Sequence, residues 1–266
     1  MSATVPGAVR AAAADDTVQA APWRADPYTD ALRRGRGPLF LRRTDGWLLP
    51  LDVERWCADP DRADLSALHR CQGSVLDIGC GPGRLVAALA ARGRRALGID
   101  VSEAAVAHAL RLGGTALLRS VFESLPGEGR WGTALLIDGN LGIGGDPVAL
   151  LTRIAGLLAP DGLLIVETAP IDVDERVNVH VDDGRGAPGR AFPWARLGAP
   201  ALLRYAHRLG WRPTAQWAVD GRPFVALRRP RDTRTTSHRA EPANSTAETS
   251  SQRARNPSAD RPVAAS

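Results

Sequence analysis

Lysine is missing from this sequence altogether, so all 34 of its basic residues are arginine. Cysteine is scarce, and Cys57, Cys71 and Cys80 form no CxxC pair and are odd in number. That excludes a disulfide-stapled scaffold and a cysteine-rich zinc site, and it fits a reducing cytoplasm. No metal is expected. Apolar runs are all short of the roughly 18 residues that cross a bilayer, so no membrane span is expected. At the N-terminus, Ala11 to Ala14 run straight into Asp15 and Asp16, which leaves no apolar stretch for a secretory leader. Internal repeats are absent.

What is present suits a soluble globular chain. Of 266 residues, 44% are hydrophobic and 24% charged, enough for one core with extensions. The net charge of +5 lies almost wholly in the tail, where eight arginines face four acids from Arg228 onward. The remainder is near neutral, so nucleic-acid binding is not expected. The tail over 230–266 is rich in Ser, Thr, Pro, Ala and Arg, and 1–22 is Ala-rich and aperiodic; both are expected to be disordered. One domain is expected over 23–229. It begins with an N-terminal cover over 23–73, helical or irregular, where Trp23, Tyr28, Phe40, Trp47 and Trp56 lie among charged residues.

From Ser74 the pattern alternates. SVLDI (74–78) reads as a buried parallel strand, and a helix over 84–92 follows, with Gly93 at its C-terminal stop. RALGID (95–100) is a second strand, and Ser102 caps a helix ended by Gly113-Gly114. Further strands are expected over 116–122, TALLID (133–138) and LLIVET (163–168). Between the last two, Asp146-Pro147 opens a helix that stops at Pro160-Asp161-Gly162. A helix over 200–209 and two strands around Asp220-Gly221 complete the chain. The sum is a Rossmann-like α/β fold: an open twisted sheet, mostly parallel with an antiparallel C-terminal hairpin, and helices on both faces. Ile171 to Ala199 is an insertion expected to form a hairpin lid. It holds His180, Trp194 and Arg196, which, with Glu167, are candidate substrate contacts.

The chemistry lies in VLDIGCGPGR (75–84). A glycine-rich turn from strand to helix lets a ligand approach backbone, and Asp100 ends the next strand about 20 residues on, where an acid takes ribose hydroxyls. The dinucleotide fingerprint G-x-G-x-x-G would place its third glycine at Arg84, whereas glycine stands one place earlier at Gly83. Asp77 is also an anion, unwelcome beside a pyrophosphate and suited to a cationic ligand.

This segment resembles motif I of the class I S-adenosylmethionine-dependent methyltransferases. GID (98–100) resembles their acidic strand-two end, and LLAPDGLLIVET (157–168) their helix, turn and fifth strand. The resemblance covers about 74–229 and implies S-adenosyl-L-methionine as cofactor. It implies that Gly79, Gly81 and Gly83 form the loop under the methionine moiety, Asp77 faces its amino-acid end, and Asp100 holds the ribose. Val101 would lie against the adenine. Family acids at the strand-three end and strand-four start are replaced by Val121 and Gly132, so Phe122 would contribute by backbone or stacking. Asp138 and Asn140, in the loop IDGNLGIGGDP, fall near the transferring methyl; Asp138 reads equally as a turn-stabilising residue. His180 is a candidate general base, against its reading as a surface histidine on a strand with Val177, Val179 and Val181 inward. The implied function is methyl transfer to a small-molecule acceptor. Two alternatives stand beside it: a non-catalytic cofactor-binding interaction protein and a nicotinamide-dependent oxidoreductase.

Overall fold

The structure, a computed structural model, describes residues 26–185 and 190–229. The segments expected to be disordered, 1–22 and 230–266, lie outside the described residues.

The N-terminal part comprises α1 (Asp26–Arg34), β1 (Phe40–Arg43), β2 (Leu48–Pro50), α2 (Val53–Cys57) and α3 (Arg62–Leu68). The alternating part follows as β3 (Val75–Ile78), α4 (Arg84–Ala91), β4 (Ala96–Asp100), α5 (Glu103–Arg111), β5 (Ala116–Leu118), β6 (Trp131–Leu136), α6 (Pro147–Leu157) and β7 (Leu158–Glu167). Then come β8 (Asp174–Asp182), β9 (Phe192–Leu197), α7 (Ala199–Arg208), β10 (Arg212–Val219) and β11 (Arg222–Arg228).

The main sheet has seven strands in the order β10-β11-β7-β6-β3-β4-β5. Strands β3 to β7 pair in parallel, and β11 and β10 are antiparallel. Strand β3 is central and buried on both faces, which is why it reads as an unbroken apolar run apart from Asp77. Its alternate residues feed two core layers. Leu76 and Ile78 face α6 and α7 through Leu150, Leu151, Ile154 and Leu202. Val75 faces α3 and α4 through Ala63, Ala67, Leu85 and Leu89. The caps form as the sequence indicates: Ser102 accepts from the Ala105 amide, and Asp146 accepts from Val148 with Pro147 behind it. At the last hairpin Asp220 and Gly221 both hold positive φ, 51° and 79°, the geometry of a two-residue turn matched to strand twist.

Three expectations need correction. Strand β5 stops at Leu118 rather than reaching Phe122, because Ser120 to Glu123 folds into a turn with the Ser120 amide donating to Glu123. Strand β7 begins at Leu158, so Pro160-Asp161-Gly162 is an irregularity inside it and not a break before it. The N-terminal cover is more regular than expected. β1 and β2 join β8 and β9 in a second sheet, ordered β2-β1-β8-β9, with Leu41 opposite Val181 and Arg42 opposite His180. The inserted hairpin and the N-terminal segment therefore share one sheet. Its inner face packs Leu39, Leu41, Val179, Val181, Phe192 and Trp194 with Tyr28 and Leu32 of α1.

Candidate active site

The loop after β3 is fastened from two sides. The Gly79 and Cys80 amides both donate to the Ile99 carbonyl, at 2.9 and 3.0 Å. Asn140 donates its side-chain amide to the carbonyls of Ile78 and Gly79, at 2.9 and 2.8 Å. Asp100 completes the clamp: one oxygen accepts from Gly81 N and the other from Ser102 N, each at 2.9 Å. Gly79 and Gly81 hold positive φ, and a Cβ on Gly79 would come within 2.7 Å of Asn140 Nδ2. The loop thus presents bare backbone above an anchored carboxylate.

Over this loop opens a cavity of about 560 Å³, within the usual size of a small-molecule site. Its lining includes Gly79, Cys80, Gly81, Asp100, Val101, Val121 and Phe122 from the strand ends and their loops. Tyr28, Leu51, Trp56, Ile143, Phe192 and Trp194 also line it, with Tyr28 over Gly81 and Phe122 beside Gly144, and Arg84, Asp138 and Asn140 are on the wall. The cover and the lid hairpin thereby supply about a third of the lining residues. Tyr28 and Trp56 of the cover are among the wall residues that the motifs do not reach, although their scatter among charges marks them as packing over something.

Asp138 sits at the wall as the hub of an ion network. Positive φ of 58° turns the chain there, and its amide donates to Glu167 Oε2 at 2.9 Å. Its carboxylate pairs with Arg55 and Arg84, both at 2.7 Å, and with Arg222 at 3.4 Å. Arg84 is 5% exposed and forks onto the buried Asp64, while Arg222 reaches Asp61, Asp64 and Glu167. Burial opposes the Asp64 anion, yet Arg84 and Arg222 outweigh it and hold its carboxyl below the ordinary 3.8. The network ties the cover, α4 and the ends of β6 and β7 into one block, and it commits Asp138 to arginine rather than to proton transfer.

Several candidates fall elsewhere. Asp77 is buried behind the wall, where its Oδ2 has no hydrogen-bond partner and does not face the cavity. Gly83 caps α4 and packs on α5, where an added Cβ would lie 2.4 Å from Ala109 Cβ; it too is off the wall. His180 lies mid-strand opposite Arg42 and does not line the cavity, so a role as base at the acceptor has no geometric basis. Glu167 holds Arg222 and the Asp138 amide, and Arg196 stacks on Trp47 at 5.3 Å; neither touches the cavity. Trp194 does line it.

Burial raises the Asp77 carboxyl to about 7, with Arg84 opposing and Asp138 and Asp100 adding to the rise. A raised carboxyl makes the folded state hold a proton that the unfolded state releases, so this group weakens the fold as pH climbs from about 4 to about 7. Asp77→Asn is therefore expected to be more favourable at pH 8 than at pH 5, by a few kcal/mol at most. Urea unfolding of both proteins at the two pH values measures this, and an equal effect at both would refute it.

The wall between loop and lid is close-packed as well. A Cβ on Gly142 would meet Trp194 at 2.3 Å and the Ala195 carbonyl at 2.5 Å. Gly142→Ala should cost about 1–3 kcal/mol through overpacking, read as a lower thermal midpoint.

A mostly parallel sheet with a glycine-rich turn after its central strand and an acid closing the next defines a Rossmann-like methyltransferase domain. A family model described as a methyltransferase domain matches residues 52–216, and the chain belongs to that family. Among solved structures it is similar to a SAM-dependent methyltransferase from Bacteroides fragilis in complex with S-adenosyl-L-homocysteine. That match has 20% identity and a TM-score of 0.64, and it covers 76% of this chain and 92% of that one. It is also similar to a structure described as concerning conversion of a disulfide bond into a thioacetal group during echinomycin biosynthesis. There the identity is 19% and the TM-score 0.51, with coverage of 77% and 92%. Curated proteins give no match.

Proposed function

We propose that this methyltransferase moves a methyl group from S-adenosylmethionine to a small-molecule acceptor in a single cavity. The observation that carries the reading is the Asp100 clamp, a carboxylate on the cavity wall held by the Gly81 and Ser102 amides. The Val101 amide also bonds this carboxylate, which leaves part of its lone-pair capacity for ribose hydroxyls. Ile99, Val101 and Val121 give an apolar wall suited to adenine, and Phe122 stands beside them. Gly79 and Gly81 leave backbone bare for the amino-acid end, with Arg84 and Asn140 on that wall. When bound, S-adenosylmethionine supplies a methyl group on a positively charged sulfur, so the protein's work is alignment and exclusion of water rather than strong base catalysis.

Asn140 acts by holding the glycine loop, and Asp138 by fixing the turn that presents Asn140. Tyr28 closes over Gly81, and Trp56 and Trp194 extend the aromatic wall from the cover and the lid. The three cysteines are unpaired, which fits the cytoplasm. The test is turnover: S-adenosylmethionine with a labelled methyl group, offered with a panel of small molecules, should give S-adenosylhomocysteine only with an accepted partner. Tight cofactor binding with no turnover across a broad panel would favour a non-catalytic interaction protein instead.

A further inference from the structure

The cavity gathers a large share of the aromatic residues of this chain. Of seven Trp, two Tyr and four Phe, the cavity takes Tyr28, Trp56, Phe122, Phe192 and Trp194. Four of them form two edge-on pairs, Tyr28 with Trp56 at 6.3 Å and Phe192 with Trp194 at 6.1 Å. Such walls suit a flat ring, which packs on them offset or edge-on.

Aromatic walls also attract cations, and here charge decides between the two. The two carboxylates on the wall are already committed, Asp100 to backbone amides and Asp138 to arginines. Burial pushes up the Tyr28 phenol and the Cys80 thiol, so both remain neutral. Arg119 and Arg190 add positive charge. Arg119 lies 3.7 Å from Glu123, whereas Arg190, next to the lid aromatics, enters no ion pair among the described residues. The Trp56 ring lines the cavity, while its indole N–H is sealed away from it, so Trp56 offers a ligand its aromatic surface.

We propose that the acceptor site takes a planar aromatic anion, a ring bearing a carboxylate, packed on these aromatic walls with Arg190 answering its charge. This deepens the methyl-transfer reading and rests on it. Where the carboxylate is itself the methylated group it arrives ionised, so its oxygen takes the methyl as the methyl–sulfur bond breaks and no side chain on the wall has to remove a proton.

The test is binding rather than turnover. Benzoate, its neutral isostere benzamide, its cationic isostere benzamidinium and the non-aromatic cyclohexanecarboxylate are titrated into full-length protein saturated with S-adenosylhomocysteine. Calorimetry and tryptophan fluorescence give the affinities. Benzoate should bind tightest, cyclohexanecarboxylate about tenfold weaker, and benzamidinium not at all. Arg190→Gln, at an exposed position, should erase the preference for benzoate over benzamide. Trp56→Leu, checked for an unchanged thermal midpoint, should weaken benzoate about tenfold by removing an aromatic wall. Benzamidinium or cyclohexanecarboxylate matching benzoate, or no benzoate binding up to its solubility limit, overturns the proposal. Failure of S-adenosylhomocysteine itself to bind strikes the methyl-transfer reading instead.

Discussion

Replacing Arg84 by methionine is expected to cost the fold about 3–5 kcal/mol, the usual penalty for leaving buried charge without its partner. The side chain is 4% exposed and Asp64 is fully buried, so water cannot take over the guanidinium's role. Asp138 would lose one of its 2.7 Å partners at the same time. For a domain of this size such a loss corresponds to a thermal midpoint lower by roughly 10 °C, which scanning calorimetry measures directly. Arg222 still reaches Asp64 at 3.0 Å, which keeps the cost from running higher. Acid unfolding carries the same signature. The Asp64 carboxyl is held below 3.8, so its contribution is present above about pH 4 and is lost as pH falls further. In Arg84→Met that part of the acid sensitivity should disappear. A variant as stable as the parent at pH 7 would show that the network does not hold cover to core.

Asp100→Ala should weaken S-adenosylhomocysteine binding by about 10²–10⁴-fold, through lost hydrogen bonding to a charged group together with a loosened glycine loop. Part of that loss comes from the loop itself, because the same carboxylate anchors the Gly81 and Ser102 amides. Asp100→Asn separates the two effects. Its amide can accept from one of those N–H groups and would face the other with a donor, so it keeps the shape but releases half the clamp. Its affinity should fall between those of the parent and the alanine variant. Equal affinity in all three proteins would remove Asp100 from the cofactor site.

The parts that local sequence could show were those built from contiguous apolar runs. VLDI, ALGID and LLIVE are parallel strands whose burial on both faces leaves no polar alternation to disguise them, and their caps lie in the same few residues. The second sheet was hidden for the opposite reason. FLRR in β1 is short and charged, and its partner β8 lies about 140 residues away, so only tertiary pairing makes it a strand. The glycine loop could be placed from spacing, but spacing does not tell which side of it faces the cavity. Asp77 and Gly83 belong to the motif and stand behind the wall, one sealed beneath the loop and one packed on Ala109. Asp138 could be flagged as polar and near the methyl. Its three arginine partners come from α2, α4 and β11, and no local pattern announces them. Arg84 itself was legible only as the residue that breaks a dinucleotide fingerprint; its positive part is structural.

Calorimetric titration of S-adenosylhomocysteine, and separately of NADH, into the full-length protein tests the cofactor assignment most directly. One site with micromolar affinity for S-adenosylhomocysteine and no heat from NADH is expected. Protein that is shown to be folded and binds only NADH, or neither, would contradict it.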